Sequence, residues 1–364
     1  MLKVTKTALV VSALTLGSMS AASAGSYLLV PSNGSLQFFS EKEINTIRNL
    51  ATYGGVYTAA LDVNQSTVDL INSRAQANNK NVEMWLTPIY SKSSRSSTTQ
   101  RGGDFDIDVS LTGINIGFEN SIETGSGFGA IFNFGKVSTD GTGAASDTEN
   151  DADYFSFGMY GTLAWDALKV TADMVLSEVK NEFEGTTPTN NKVGKVKADV
   201  DTYIVSLGLT GNYTFNTSFA DITPHLAVRY TSIDLEETPY FERSVVGTVA
   251  QGDIKTVDMF SVPFGVTVSK SIKSGDWNLA PKFDVTLTSY FGDREYDFEY
   301  KSRTFRAYVV NKYQVEFQDS FTYGATLGLD AKFKDCLDLG LGLGYTGSSN
   351  SDKFNVTANI GYNF

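Results

Sequence analysis

The chain carries one histidine, His225, and one cysteine, Cys336. Hydrolysis of the Ser-His-acid or acid-His kind needs an imidazole at an accessible rim or outer wall, beside a nucleophile or a water. His225 is placed otherwise. Ile222, Leu226, Val228 and Tyr230 keep one phase of an alternation, and His225 falls on the other phase with Thr223, Ala227 and Arg229. That pattern predicts an inward polar side chain near the start of a strand, touching whatever fills the interior. A single His and a single Cys do not make a zinc set, and one Cys forms no internal disulfide. The acidic runs Asp147-Thr148-Glu149-Asn150-Asp151 and Asp293-Arg294-Glu295 lack the ligand spacing of a calcium loop and read as solvated surface. No catalytic residue, metal site or cofactor is expected. The balance of 41 acidic against 29 basic residues excludes nucleic acid as a partner, because phosphate binding needs clustered Lys and Arg.

More telling are charges that fall on the inner phase of otherwise apolar strands. Lys169, Asp173, Lys282, Asp284, Asp330, Lys332 and Asp338 do so, with Arg229 and His225. Such strands face a polar interior and turn their apolar side outward. The final segment shows this cleanly. Phe354, Val356, Ala358, Ile360, Tyr362 and Phe364 share one face, and Asn355, Thr357, Asn359, Gly361 and Asn363 the other. Leu337, Leu339, Leu341, Leu343 and Tyr345 alternate likewise with Asp338, Gly340, Gly342 and Gly344. Period-two alternation marks about twelve strands from residue 82 to 364, near 82–92, 104–120, 126–139, 152–166, 168–183, 199–216, 219–235, 255–271, 276–292, 312–333, 336–347 and 352–364. In the second the phase slips: Phe105, Ile107, Val109 and Leu111 are odd, Ile114, Ile116 and Phe118 even. A bulge at Thr112-Gly113 is expected. Long polar connections (140–151, 185–197, 236–254, 292–311) follow odd-numbered strands, and tight turns such as 216–219 and 271–276 follow even ones. Apolar-out, polar-in strands with segregated loop lengths predict a closed antiparallel outer-membrane β-barrel.

The segments ahead of the strands differ in kind. Lys3 and Lys6 precede an apolar run from Ala8 to Leu16, and Ala22-Ser23-Ala24 ends it, so residues 1–24 read as a signal peptide cut between Ala24 and Gly25. Residues 25–39 form a short, partly apolar segment, and 40–81 read as helical. Ser40 and Glu43 stand in capping-box spacing, with Ile44, Ile47 and Leu50 behind them and an interruption at Gly54-Gly55. Val56, Ala59, Ala60, Val63, Thr67, Leu70 and Ile71 then make one stripe of a helix, with Asp62, Gln65, Asp69 and Arg74 on the opposite side. A helix of about twenty residues is about 30 Å long, which matches a bilayer, and small residues suit a narrow pore. The inward charges can pair across the lumen or grip Asp62, Asp69 and Arg74.

The residues that carry a family resemblance are spread along the chain. They are a helix followed by Glu83-Met84-Trp85-Leu86-Thr87-Pro88-Ile89-Tyr90, Gly102-Gly103, Gly125-Ser126-Gly127-Phe128-Gly129-Ala130 and Asp153-Tyr154-Phe155. Val200-Asp201-Thr202-Tyr203, Ala220-Asp221-Ile222-Thr223-Pro224-His225-Leu226 and the ending Tyr362-Asn363-Phe364 complete the set. Over roughly residues 50–364 the chain resembles the translocator domain of bacterial autotransporters, the type V secretion proteins. The resemblance implies a twelve-stranded barrel with a helix threaded through its pore. It also implies a monomer in contact with outer-membrane lipid and lipopolysaccharide, and a C-terminal signal (Tyr362, Phe364) read by the barrel-assembly machinery after delivery by periplasmic chaperones. The passenger of such proteins lies ahead of the helix. Here about thirty residues separate the predicted cleavage site from the helical stripe that begins at Val56, too few for a stacked solenoid, so a minimal or absent passenger is expected. Some relatives cut themselves at an Asn-Asn pair in the helix, whereas Asn78-Asn79 lies past the helical stripe and reads as a turn. The alternative is a stand-alone pore or loop scaffold plugged by its own helix.

Overall fold

The computed structural model describes residues 28–32, 35–39, 55–76, 82–98, 104–122, 125–143, 148–189, 192–235, 240–242, 249–251, 256–301, 310–334 and 336–364. The predicted signal peptide with Ala24 and Gly25, the Ser40–Glu43 box with Ile44, Ile47 and Leu50, Gly54, Asn78-Asn79 and Gly102-Gly103 lie outside the described residues. Leu28–Ser32 pairs with Ser35–Phe39 as a small antiparallel hairpin. Among the described residues one α-helix, α1, spans Val56–Gln76.

Twelve staves follow: β1 (Val82–Thr98), β2 (Asp104–Ser121), β3 (Gly127–Gly143), β4 (Thr148–Trp165), β5 (Leu168–Thr189), β6 (Lys192–Tyr213), β7 (Asp221–Leu235), β8 (Val257–Ser269), β9 (Trp277–Gly292), β10 (Phe321–Phe333), β11 (Leu337–Gly347) and β12 (Ser351–Asn363). Each pairs antiparallel with its chain neighbour, and β12 pairs with β1 to close the barrel. Closure leaves no free edge, as a lipid environment requires. The last two residues are held too: Asn363 N–H donates to Cys336 O at 2.9 Å and Phe364 N–H to Val82 O at 2.9 Å.

Lipid explains the inverted surface. Phe155, Met159, Leu163 and Trp165 on β4, and Tyr203, Val205, Leu207, Leu209 and Tyr213 on β6, all point outward and are exposed. Aromatics mark both edges of the apolar band, with Trp165, Tyr213, Trp277 and Tyr362 at the short-turn end and Phe155, Tyr203, Tyr323 and Tyr345 toward the long-loop end. The ten steps from Phe155 to Trp165 climb about 25 Å on a tilted strand, the height of such a band.

Three expectations are corrected. β2 carries no bulge at Thr112-Gly113, since its register to β1 and β3 is unbroken. What changes is the surroundings. Below Thr112 the outer face meets lipid, so Ile114, Ile116 and Phe118 point out; above it the barrel rises into water, so Asp106 and Asp108 point out and Ile107, Val109 and Leu111 turn in. The 312–333 strand is two pieces. Val310–Glu316 pairs with Glu295–Lys301, and β10 begins at Phe321, because Phe317 to Asp319 fold inward and are buried. The long loops are largely ladder. β5 and β6 pair out to Thr189 and Lys192, β3 and β4 pair to Asp140 and Glu149, and Tyr240–Glu242 pairs with Val249–Gln251 inside the next connection.

Candidate functional site

The lumen is occupied by α1, which rests on β2 to β6. Its N-terminus lies at the long-loop end, where Tyr57 stacks on Phe317 with ring centroids 5.1 Å apart. Its C-terminus lies at the short-turn end, where Arg74 meets Glu83 and Glu119 near the strand bases. Three levels hold it.

The upper level is apolar. Val56, Tyr57, Ala59, Ala60 and Val63 pack with Ile107, Val109, Leu111, Val137, Val179, Ile204, Ile233 and Phe317 in one buried cluster. The phase inversion of β2 serves this level: above the lipid, the barrel has a dry centre around the helix. Ala59 and Ala60, both fully buried, bring the helix backbone near the wall.

The middle level is polar. Asn133 donates to Thr67 Oγ1 at 2.9 Å and to Ser66 Oγ at 3.1 Å, and accepts from the Tyr154 hydroxyl at 3.1 Å. Asp62 accepts from Ser93 at 2.6 Å and from Lys353 at 2.9 Å. Asp69 accepts from Gln65 at 2.6 Å and is exposed to the open side of the lumen, as is Ser73.

The lower level centres on Arg74. It is buried rather than on the wet side, because it follows Leu70 and Ile71 by one helical turn and shares their face. Its guanidinium lies 2.7 Å from Glu83 and 3.0 Å from Glu119, with Nε donating to Glu119 at 3.1 Å, and it stands 5.2 Å from the Trp85 ring centroid. Tyr160 donates to Glu119 at 2.8 Å. Val68, Leu70, Ile71 and Ala75 pack with Trp85, Ile131, Tyr160 and Val175 beside it.

The remaining inward charges pair mostly with one another. Arg229 grips Asp173 in bidentate fashion at 2.7 and 2.9 Å. Lys282 lies 3.0 Å from Asp330 and donates to Ser73 at 3.3 Å; Lys332 lies 3.6 Å from Asp338; Lys169 donates to Gln76 O at 3.3 Å. His225 Nε2 stands 2.8 Å from Asp284 Oδ2, a wall partner rather than the helix. Thr267 and Thr286 donate to Asp284 at 2.7 Å each, so these hydroxyls serve the carboxylate and do not line up on the imidazole.

Periodicity assigns no role to Glu83, Glu119, Lys353, Arg95 or Asp319. Alternation alone puts the first three inward, Glu83 with Trp85 and Lys353 with Asn355, but it does not reveal their partners. Asp319 sits above the apolar band and accepts from Ser348 at 2.6 Å, Ser349 at 2.7 Å, Asn350 at 2.8 Å and Arg95 at 3.2 Å. Burial would push its carboxyl up, but the Ser348 and Ser349 bonds and the Arg95 charge hold it below the usual carboxylate range.

A family model described as the autotransporter β-domain matches residues 84–312. No curated protein matches the chain in sequence. Among solved structures, the chain is similar to the translocator domain of the autotransporter NalP from Neisseria meningitidis. That likeness has 14% identity and a TM-score of 0.66, over 86% of this chain and 99% of that one. It is similar to the β-domain of the Bordetella autotransporter BrkA at 16% identity and a TM-score of 0.56, over 78% of this chain and 100% of that one. It is similar also to the transport unit of the autotransporter AIDA-I from Escherichia coli at 16% identity and a TM-score of 0.54, over 79% and 92%. At these identities the likeness is one of fold.

Proposed function

From the premise that the chain belongs to the autotransporter β-domain family, we propose that its barrel serves as a transport pore rather than an enzyme, and that the segment ahead of α1 is what it carries outward. The family places the barrel in the bacterial outer membrane. The observation that carries the reading is the direction of α1: Val56 stands at the long-loop end and Gln76 at the short-turn end. The chain therefore enters α1 from the side of the long hairpins, the cell exterior of an outer-membrane barrel. The signal peptide over residues 1–24 delivers the chain to the periplasm. An epitope placed within residues 25–50 should be cut by protease added to intact cells, while the barrel survives. Full protection of that epitope on intact cells, with cleavage after lysis, would reverse the reading.

Assembly is proposed to run through periplasmic chaperones to the barrel-assembly machinery, which reads the outward aromatics Tyr362 and Phe364 of the last strand. The folded product is a monomer in lipid and lipopolysaccharide. Phe364 is 70% exposed and held in place by its backbone bond to Val82, and its ring meets Tyr362 edge-on at 5.1 Å, so it contributes little packing to the rest of the protein. Deleting it should nevertheless lower the yield of folded barrel in the outer membrane several-fold, whereas Asn363→Ser should leave the yield nearly unchanged. Equal yields for the deletion and the parent would remove Phe364 from the signal.

A further inference from the structure

The closing pair of strands is the one place where the barrel is not joined by a turn, and its ladder is incomplete. β12 and β1 pair from Ser351–Arg95 to Thr357–Ile89, skip two positions, and resume at Ile360–Leu86. Pro88 falls in the skip and has no N–H to give to the ladder. The β7–β8 ladder skips likewise near Pro263, but those strands are consecutive in the chain and stay tethered.

Side chains stitch the closing seam instead. Thr87 of β1 donates to Asn359 of β12 at 2.8 Å, inside the gap. Two carboxylates from outside the seam, Asp62 half-buried and Asp319 buried, then bridge it. Asp62 of α1 accepts from Ser93 of β1 at 2.6 Å and Lys353 of β12 at 2.9 Å, and Ser93 and Lys353 are register partners. Asp319, ahead of β10, accepts from Arg95 of β1 at 3.2 Å and from Ser348, Ser349 and Asn350 in the β11–β12 turn. Arg95 also donates to its register partner Ser351 at 3.2 Å.

We propose that Asp62 and Asp319 are closure clamps: each finds its full donor set only once β12 has met β1, so the helix seats and the outer rim seals after the barrel closes. Before closure Asp62 has Ser93 and Lys353 on separated strands, and Asp319 keeps its three turn donors but lacks Arg95, the one cation among its partners, so each carboxylate is desolvated without full compensation. Asp319 lies two residues past Phe317, which stacks on Tyr57, so the rim clamp also fixes the apolar cover over the helix.

The test uses the full chain in detergent, with the temperature at which the folded band is lost on an unboiled gel as the readout. Asp62→Asn and Asp319→Asn should each lower that temperature by about 5 °C, and Asp69→Asn, which changes the exposed helix carboxylate, should not. Ser94→Cys with Asp352→Cys, in a Cys336→Ala background, places two thiols at register partners across the seam, where oxidation or a short bis-maleimide joins them. Locking the seam should restore the parental temperature to both variants. If the locked Asp62→Asn and Asp319→Asn proteins still open early, those residues act on the helix or the loop alone and the proposal fails. Unaltered temperatures in the unlocked variants would overturn it equally.

Discussion

Deleting residues 25–78, with the signal peptide kept, should raise the single-channel conductance of the barrel in planar bilayers several-fold and abolish its closed state. The helix occupies the lumen and is held to the wall at all three levels, the upper one a buried apolar cluster. Val56, Tyr57, Val63, Val68 and Ile71 are at most 2% exposed in the pore and Leu70 is 9% exposed. Their burial stabilises the seated helix by on the order of 10 kcal/mol, at about 1.5–3 kcal/mol for each apolar side chain. A helix so held does not leave on its own, which is why the intact protein should conduct poorly. The wall survives the deletion because its own ion pairs, Arg229 with Asp173 and Lys282 with Asp330, do not involve α1. Glu83 and Glu119 lose Arg74 but gain water in the opened lumen. Equal conductance of the truncated and intact proteins would mean that the helix is not a plug.

Arg74→Ala should do more damage than its size suggests, and two further substitutions should repair it. The single change leaves Glu83 and Glu119, both at most 3% exposed, facing each other beneath a helix that still excludes water. Removing one partner of a buried ionic group costs about 3–5 kcal/mol, most of it from the charge left uncompensated. The unseated helix population should therefore rise by about two to four orders of magnitude, read as frequent openings in bilayer recordings. Apolar burial exceeds that loss, so the helix stays seated most of the time. Arg74→Ala combined with Glu83→Gln and Glu119→Gln removes the stranded charges and should return openings toward the parental rate. Arg74→Lys should fall between, since an ammonium cannot hold Glu119 with two parallel bonds and meet Glu83 as well. If the single and triple variants open equally often, charge burial is not what Arg74 offsets.

Much of this barrel was legible as alternation. Lipid demands an apolar side chain at every second position across the band, and that demand falls on each strand separately. The outward faces of β4, β6, β10 and β12, the strand count and the segregation of long connections are therefore written locally. The amphipathic helix is legible for the same reason, as a stripe of small and apolar residues at helical spacing. The membrane rule misled only where the membrane ends. In β2 the same backbone phase passes from lipid to water, so the apolar side changes face with no bulge, and the pattern along one strand does not mark the height at which this happens. The break ahead of β10 was hidden because Phe317 continues a strand-like run, while its burial is set by Tyr57, far away in the chain.

What the sequence by itself determined is which side chains face lipid, which face inward and that a helix precedes the strands, because those follow from periodicity against a uniform solvent. Only the tertiary structure decided which inward residues meet. Alternation orients Glu83, Glu119 and Lys353 but leaves their partners open, since Arg74 and Asp62 reach them through the angle and depth at which α1 sits. The clamps at Asp62 and Asp319 go further still. They exist because β12 lies beside β1, strands at opposite ends of the barrel sequence, and a contact made by closing a ring has no local signature to read.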